Sequence, residues 1–497
     1  MTRPATTTHT YPVTGNAFGL PLLIISALQL MVVLDGTVVN LALARIQVEL
    51  GLTDSLRSWI VTSYALAYGG LLLLGGRLGD VFGRKRTFLI GVSMFTLASL
   101  ACGLANGAGV LLVARVIQGI GAAVASPTAM ALIVVTFAPG KPRNQAFSVF
   151  AMMTGLGSVL GLVVGGALTE ASWRWIFLIN VPIGVFIVGL GVKYLFSTGQ
   201  SEKMALDVRG AVLATGASTL LVFGMTEGGV GFTAPVIGSV VLGVVLLIGF
   251  FFSQRTAANP VLPLGMFAHR SRTFVFVSLL LVGALLMAMT VQVALFVQEV
   301  LGYGPLTAGL AFIPFAFALA TGSAISGRLA EVVSPRWIVA GGGVILIGGV
   351  VFCSMLDEHA SYLPDLLIPI LVIGVGLGIV LIPLTLSVVA GVKPTEVGPL
   401  TATSLVCQTL GGPLGLAAVT AYAEMRTRSR LGSAFDTLNR SALDDAARAA
   451  LGDGYTGSLL ICAGLAVVVV ILVVAFVKFT PEDIREGKAA EAAAQRG

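Results

Sequence analysis

Charge is what this 497-residue chain has least of. Only 10% of its residues are Asp, Glu, Lys or Arg, against roughly 25% in soluble domains. A soluble globular protein is excluded on that ground. Cysteine is scarce as well. Cys102, Cys353, Cys407 and Cys462 all lie inside apolar runs, which reads as small packing side chains and not as disulfides or a metal site. No Gly-x4-Gly-Lys-Ser/Thr loop is present, so ATP is not expected as the energy source. No nucleophile–base pair stands out, so neither an enzyme nor a cofactor or metal is expected. No cleavable leader is evident, because "MTRPATTTHTYPVTGN" is polar and leads straight into an apolar run. The net charge of +6 is spread over short connections and does not argue for nucleic acid.

What the chain has is apolar length. Its residues are 56% hydrophobic, and runs of about 20 residues, enough to cross a bilayer as helices, recur from end to end. Fourteen such spans are expected, the first beginning near Phe18. An even number places both termini on one side. The tails and even-numbered connections hold 20 Lys and Arg, the odd-numbered ones 8. Five of those 8 lie in the longest connection, 424–455, beside Glu424, Asp436, Asp444, Asp445 and Asp453. The positive-inside bias then puts both termini in the cytoplasm of a multi-pass plasma (inner) membrane protein.

The chain also repeats itself. "LGLTDSLRSWIVTSYALAYGGLLLLGGRLGDV" from Leu50 aligns without a gap on "LGYGPLTAGLAFIPFAFALATGSAISGRLAEV" from Leu301, an offset of 251. Gly76-Arg77-Leu78 falls on Gly327-Arg328-Leu329, and Asp80 on Glu331. Shared leucines could arise by chance; a shared Gly-Arg-Leu with an acid at the same helix end is harder to explain so. The expected organisation is therefore an all-α polytopic membrane protein of two six-helix bundles. Residues 1–17 form a tail, 18–196 the first bundle, and 197–271 an inserted two-span segment. Residues 272–480 form the second bundle, with an extracytoplasmic loop at 424–455, and 481–497 a second tail. Duplicated halves around a midplane site are a transporter architecture.

Ionisable residues inside spans are costly, so each is a functional candidate. Asp35 sits in "LDGTVVNLALARI", apolar on both sides; at about 1.5 Å per residue it falls outside the middle of span one. Such a carboxylate can hold a proton or a cationic ligand, but not easily both. Its repeat equivalent is Leu286, so the second half offers no matching acid. Arg115 and Gln118 share a face of span four in "ARVIQGIGAA", and a proton-relay role is expected for the arginine, which cannot shed its proton. Glu227, near the outer end of span seven, is a reserve coupling acid. Asn40, Gln118, Gln292 and Gln408 are expected to line a substrate cavity. In "GLGSVLGLVVGG", Gly157, Gly161 and Gly165 recur every four residues with Gly166 beside them, a face on which another helix can close.

"GGRLGDVFGRKR" crowds basic residues between two spans. Its Gly76, Asp80, Gly83, Arg84 and Lys85 resemble the loop signature of the major facilitator superfamily. Val81 stands where the family usually has a basic residue. With "LDGTVVNLAL", "RVIQGIGAA", the span-five glycines and "WRWIFLINVPIG", nearly the whole chain resembles the fourteen-span drug:proton antiporter branch. The span-five motif there normally has proline after its second glycine; here it is Leu162. The resemblance implies the major facilitator fold and a latch at Gly76–Lys85 that closes two bundles. It also implies export of lipophilic, neutral or singly positive compounds in exchange for protons, with small lipophilic substrates, protons and the lipid bilayer as partners. A monomer is expected. A dedicated exporter of one metabolite or antibiotic stays open; an uptake symporter or a non-transporting membrane sensor fits less well.

Overall fold

The computed structural model describes residues 19–138, 141–196, 207–228, 233–257, 260, 262, 265, 267, 269–392, 394–437 and 443–494. The expected tail 1–17 and parts of the inserted segment lie outside them. Among the described residues the elements are all helical. They are α1 (Leu20–Leu50), α2 (Asp54–Phe82), α3 (Arg84–Gly103), α4 (Ala108–Thr136) and α5 (Lys141–Ala171). A single turn, α6 (Trp175–Leu178), leads into α7 (Asn180–Tyr194). Then come α8 (Val208–Gly228), α9 (Ala234–Thr256) and α10 (Arg270–Leu295), which runs on through a π-helical turn to Val300. The rest are α11 (Pro305–Ala311), α12 (Ile313–Leu329), α13 (Pro335–Cys353), α14 (Leu367–Val388), α15 (Pro394–Leu431), α16 (Asp445–Phe476) and α17 (Pro481–Ala494).

Thirteen described helices are long and apolar enough to cross a membrane. The 29-residue α2 occupies the place of the second expected span. The protein is a multi-pass, all-α membrane protein. The offset of 251 relates backbone as well as letters. Helix α2 starts at Asp54 and α11 at Pro305. Gly51 ends α1 with φ 60° and Gly302 follows α10 with φ 73°. Both positions need the left-handed region, where glycine has no Cβ penalty.

Lipid is as apolar as leucine, so helix pairing rests on close backbone approach. A methyl group at Gly119 would stand 2.5 Å from the Tyr64 carbonyl of α2, and one at Gly121 2.6 Å from the Phe95 nitrogen of α3. Small residues thus draw α2, α3 and α4 together. Helix α8 seats itself between α2 and α15: Leu66, Val222 and Ala417, one from each, form a small core of their own, and Trp59 meets Phe223 at 6.5 Å.

Two sequence boundaries need correction. The region 424–455 is mostly not a loop. Helix α15 runs on to Leu431 and α16 begins at Asp445, capped by Asp444, which accepts a hydrogen bond from the Ala447 nitrogen at 2.8 Å. The charges here are partly paired across the two helices, Arg426 with Asp453 at 2.7 Å, which is why they do not break them. Nor is 481–497 a simple tail. Its described part, Pro481–Ala494, forms α17, whose Ile484 is buried and whose Asp483 carbonyl accepts from the Gly391 nitrogen at 3.2 Å, so the helix docks under α14.

Candidate functional site

Asp35 is the sixteenth residue of the 31 in α1. It therefore lies at the helix's midpoint, not outside it as read from the sequence; α1 extends past the apolar run to Leu50. Its carboxylate is fully buried and receives three donors. Arg115 Nη1 of α4 donates to Oδ2 at 2.8 Å. Gln118 Nε2 and Asn180 Nδ2, from α4 and α7, donate to Oδ1 at 2.8 and 2.9 Å. Arg115 is 1% exposed. It also donates from Nε to the Ile60 carbonyl at 3.0 Å and from Nη1 to Gln118 Oε1 at 2.7 Å, and its guanidinium lies 4.3 Å over the Tyr64 ring. Gln118 Nε2 reaches Ser99 as well, at 2.8 Å. Residues from α1, α2, α3, α4 and α7 thus converge on one carboxylate.

Two features of this cluster carry chemistry. A buried ion pair is weak evidence for stability, because apolar residues of similar volume often do as well or better. Stability is thus a poor reason for its presence. And Arg115 keeps neutral acceptors and an aromatic face when Asp35 loses its charge. The pair can come apart without stranding a cation, which is what a carboxylate that takes up and gives back a proton requires.

The other expected residues fall in several places. Gln118 belongs to this cluster, not to a cavity wall, because its amide is spent on Asp35, Arg115 and Ser99. Asp35 itself is enclosed and does not face open space. Its neighbour Gly36 is exposed at mid-helix, with nothing within 4 Å of a methyl group placed there. Asn40 Oδ1 and both amide atoms of Gln292 are buried without a hydrogen-bond partner. Gln408 is half-buried on α15, where its carbonyl abuts Gly283 of α10. Glu227 stands on α8, which supplies none of the residues of the cluster. It accepts a hydrogen bond from Ser55 of α2. The Asp80 side chain lies outside the described residues. A methyl group at Gly76 would stand 3.5 Å from Pro127 of α4, and Gly83 joins α2 to α3 with φ 88°. Arg84 donates to the Ala131 carbonyl at 3.4 Å and Lys85 to the Val192 carbonyl at 2.8 Å. These are carbonyls of α4 and α7, near which a cation also suits the helix dipole.

The glycine face of α5, whose spacing leaves the partner helix open, closes on α1 within the N-terminal half. Methyl groups at Gly157, Gly161 and Gly165 would stand 3.1, 2.8 and 2.6 Å from Val33, Thr37 and Val38. Gly166, one position on, does reach across: a methyl there would lie 2.7 Å from Leu306 Cα of α11. Leu162, where the family motif has proline, sets its carbonyl 2.2 Å from a methyl placed at Gly309 of α11. We expect Gly166→Leu to cut transport about tenfold or more, since backbone faces backbone there and neither side can yield cheaply. Gly464→Leu, in open space on α16, should leave transport unchanged. Full activity in the Gly166 variant at equal membrane level would show that this approach is not needed for the cycle.

Sequence reasoning missed Asn180, Ser99, Tyr64 and a second polar group at the end that carries the odd-numbered connections. There Arg57 of α2, 2% exposed, pairs with Glu299 after α10 at 2.8 Å.

A family profile, the Major Facilitator Superfamily, matches residues 25–416. EfpA of Mycobacterium tuberculosis, described as an uncharacterized MFS-type transporter, is 43% identical over 97% of this chain and 91% of its own. The puromycin resistance protein of Streptomyces alboniger is 39% identical over 80% of each chain. Among solved structures, the inward-facing, unoccupied form of a bacterial homolog of the human lysosomal transporter Spinster superposes with a TM-score of 0.67. It is 17% identical and covers 95% of this chain and 97% of that one, a likeness of fold alone.

Proposed function

This chain belongs to the Major Facilitator Superfamily, and on that premise we propose that it exports lipophilic small molecules from the cell in exchange for protons by alternating access. It is a transporter of small molecules and not an enzyme. Residues 18–196 and 272–480 are the two moving halves, with 197–271 inserted between them. Both termini face the cytoplasm of the plasma membrane, and the odd-numbered connections face outward.

The observation that carries this reading is the Asp35 cluster. One ionisable pair is buried at the midpoint of α1, with fallback partners for the arginine. A proton arriving at Asp35 cancels the pair's attraction and frees α1 to shift against α4. The resistance named for the puromycin relative supports the direction of transport, outward, and the class of cargo. The latch at Gly76, Asp80, Gly83, Arg84 and Lys85 stays part of the reading. Glu227 is the reserve coupling acid.

The test is a panel of lipophilic compounds in inside-out vesicles, with and without a proton gradient. Accumulation that requires the gradient supports proton-coupled export. Gradient-independent accumulation, or uptake of the compounds into whole cells, overturns it. A panel in which a single compound is moved favours the dedicated exporter.

Charge sets a finer expectation. Asp35 is enclosed and already paired with Arg115, so every fixed cation on the cargo adds a desolvation cost in low dielectric, and a second adds more than a largely apolar cavity repays. The cargo is therefore neutral or singly positive, held among apolar residues with Asn40, Gln292 and Gln408. If one proton is exchanged for one monovalent cation, no net charge moves and export follows the pH gradient alone. A neutral cargo draws also on the membrane potential, worth about 2.3 kcal/mol per 100 mV. Collapsing the potential with valinomycin and potassium should slow export of neutral compounds and spare monocations. Equal slowing of both contradicts this one-for-one exchange.

A further inference from the structure

At the end of the odd-numbered connections, one arginine joins the two halves. Arg57 of α2 donates to Glu299 Oε1 at 2.8 Å. Tyr455 of α16 donates to the other carboxylate oxygen at 2.7 Å. On the N-terminal side the same guanidinium meets Gln47 Oε1 of α1 at 2.6 Å and Asp54, on its own helix, at 3.4 Å. Gln47 in turn donates to Asp54 at 2.8 Å. Four helices are thereby clasped through one guanidinium.

Two features make this a releasable clasp rather than a rivet. First, Arg57 keeps an acid and an amide of its own half. If Glu299 loses its charge, Arg57 settles on Asp54 and Gln47 and no buried cation is left alone. Second, Glu299 is not sealed off. It lines a crevice of about 500 Å3 bounded also by Arg45, Glu49, Gln298, Tyr303 and Arg448. A proton can therefore reach it along this crevice while the halves are still tied.

We propose that Glu299 is a second proton-accepting group, distinct from Asp35, whose protonation from the outer solution unclasps Arg57 and lets the outer end open. The proposal rests on the outward placement of the odd-numbered connections in the reading above. Its charged and titratable neighbours enter it: Arg57 and the Tyr455 hydroxyl hold the ionised carboxylate, Asp54 competes for Arg57, and Arg45, Glu49, Tyr303 and Arg448 line the access route. The direction follows. Charge on Glu299 closes the outer end, so acid outside opens it. Asp35 remains the group that carries the coupled proton, while Glu299 sets when it can be reached.

The experiment measures distance across the outer end by double electron–electron resonance in nanodiscs. Spin labels go on Leu104→Cys and Met355→Cys, both exposed and one in each half, in a variant whose four native cysteines are alanine and which still transports. Between pH 8 and pH 5.5 the distance distribution should move from short to long. Glu299→Gln should be long at both pH values. Tyr455→Phe leaves both charges in place and removes one donor to the ionised carboxylate; the pH at which the distance changes should rise by roughly one to two units, the effect of one hydrogen bond to a charged group. That variant also serves if Glu299→Gln fails to accumulate. Asp35→Asn should keep the full pH response, which separates this proposal from the export reading: outer opening is read without any transport. A pH response unchanged in both Glu299→Gln and Tyr455→Phe, or one lost in Asp35→Asn instead, overturns it.

Discussion

Asp35→Asn should bring gradient-driven export down to the level of vesicles lacking the protein, while leaving the chain in the membrane. Asparagine has nearly the shape of aspartate and can still accept from Gln118 and Asn180, so the packing of α1 against α4 and α7 is kept. What is lost is a group that can change its charge. The substitution leaves Arg115 with the Ile60 carbonyl, the Gln118 oxygen and the Tyr64 ring, so the fold should tolerate it. Downhill movement of cargo without a proton gradient should persist in part, because the cavity is untouched. Gradient-driven export at the wild-type rate and equal expression would remove Asp35 from the mechanism. Glu227, held by Ser55 in the first turn of α2, would be examined next.

Arg115 carries the second large effect, and its two substitutions should differ. Arg115→Ala leaves a buried carboxylate without its cation, and breaking one side of a buried pair costs about 3–5 kcal/mol. Asp35 can escape that cost by taking a proton and keeping it. The variant should then fold but hold its proton across the outward and inward states, with near-complete loss of coupled export. Arg115→Lys keeps the charge but loses the planar fork that here reaches Asp35, Gln118 and Ile60 at once. Partial loss is expected, with the pH dependence of export displaced from wild type. Alanine and lysine variants of equal activity would show that the charge at this position is not used. A melting curve of each variant separates lost folding from lost coupling.

How much of this could be read from letters depends on what each letter needed. Asp35, Arg115 and Gln118 declared themselves because a polar side chain in an apolar run is conspicuous whatever surrounds it. The convergence of Asp35 with Asn180, Ser99 and Tyr64 could not be read. Asn180 sits beside Pro182 where α6 gives way to α7, so it passes for a helix break. Serine and tyrosine are common enough that only packing shows which way they point. Arg57 counts among the connection charges in the sequence because an apolar run is shorter than the helix that carries it. Helix α1 continues to Leu50 and α10 to Val300, carrying polar residues into a protein interior instead of into water. The same error made a loop of 424–455. The glycines of α5 show the limit from the other side. A spacing of four fixes that a face is flat, but not which helix lies on it. Here it is α1, while Gly166, one position on, reaches the opposite half.

Proton movement driven by cargo tests the central claim most directly. Purified protein is reconstituted into liposomes holding a pH-sensitive dye, and a lipophilic monocationic compound is placed in a steep gradient across the membrane with no pH difference. The wild type should move protons against the flow of compound, one for one. Asp35→Asn should move the compound, if at all, with no change in the dye. Compound flux in the wild type without any proton flux, or an equal proton flux in Asp35→Asn, would contradict the assignment of Asp35 as the exchanged proton's site.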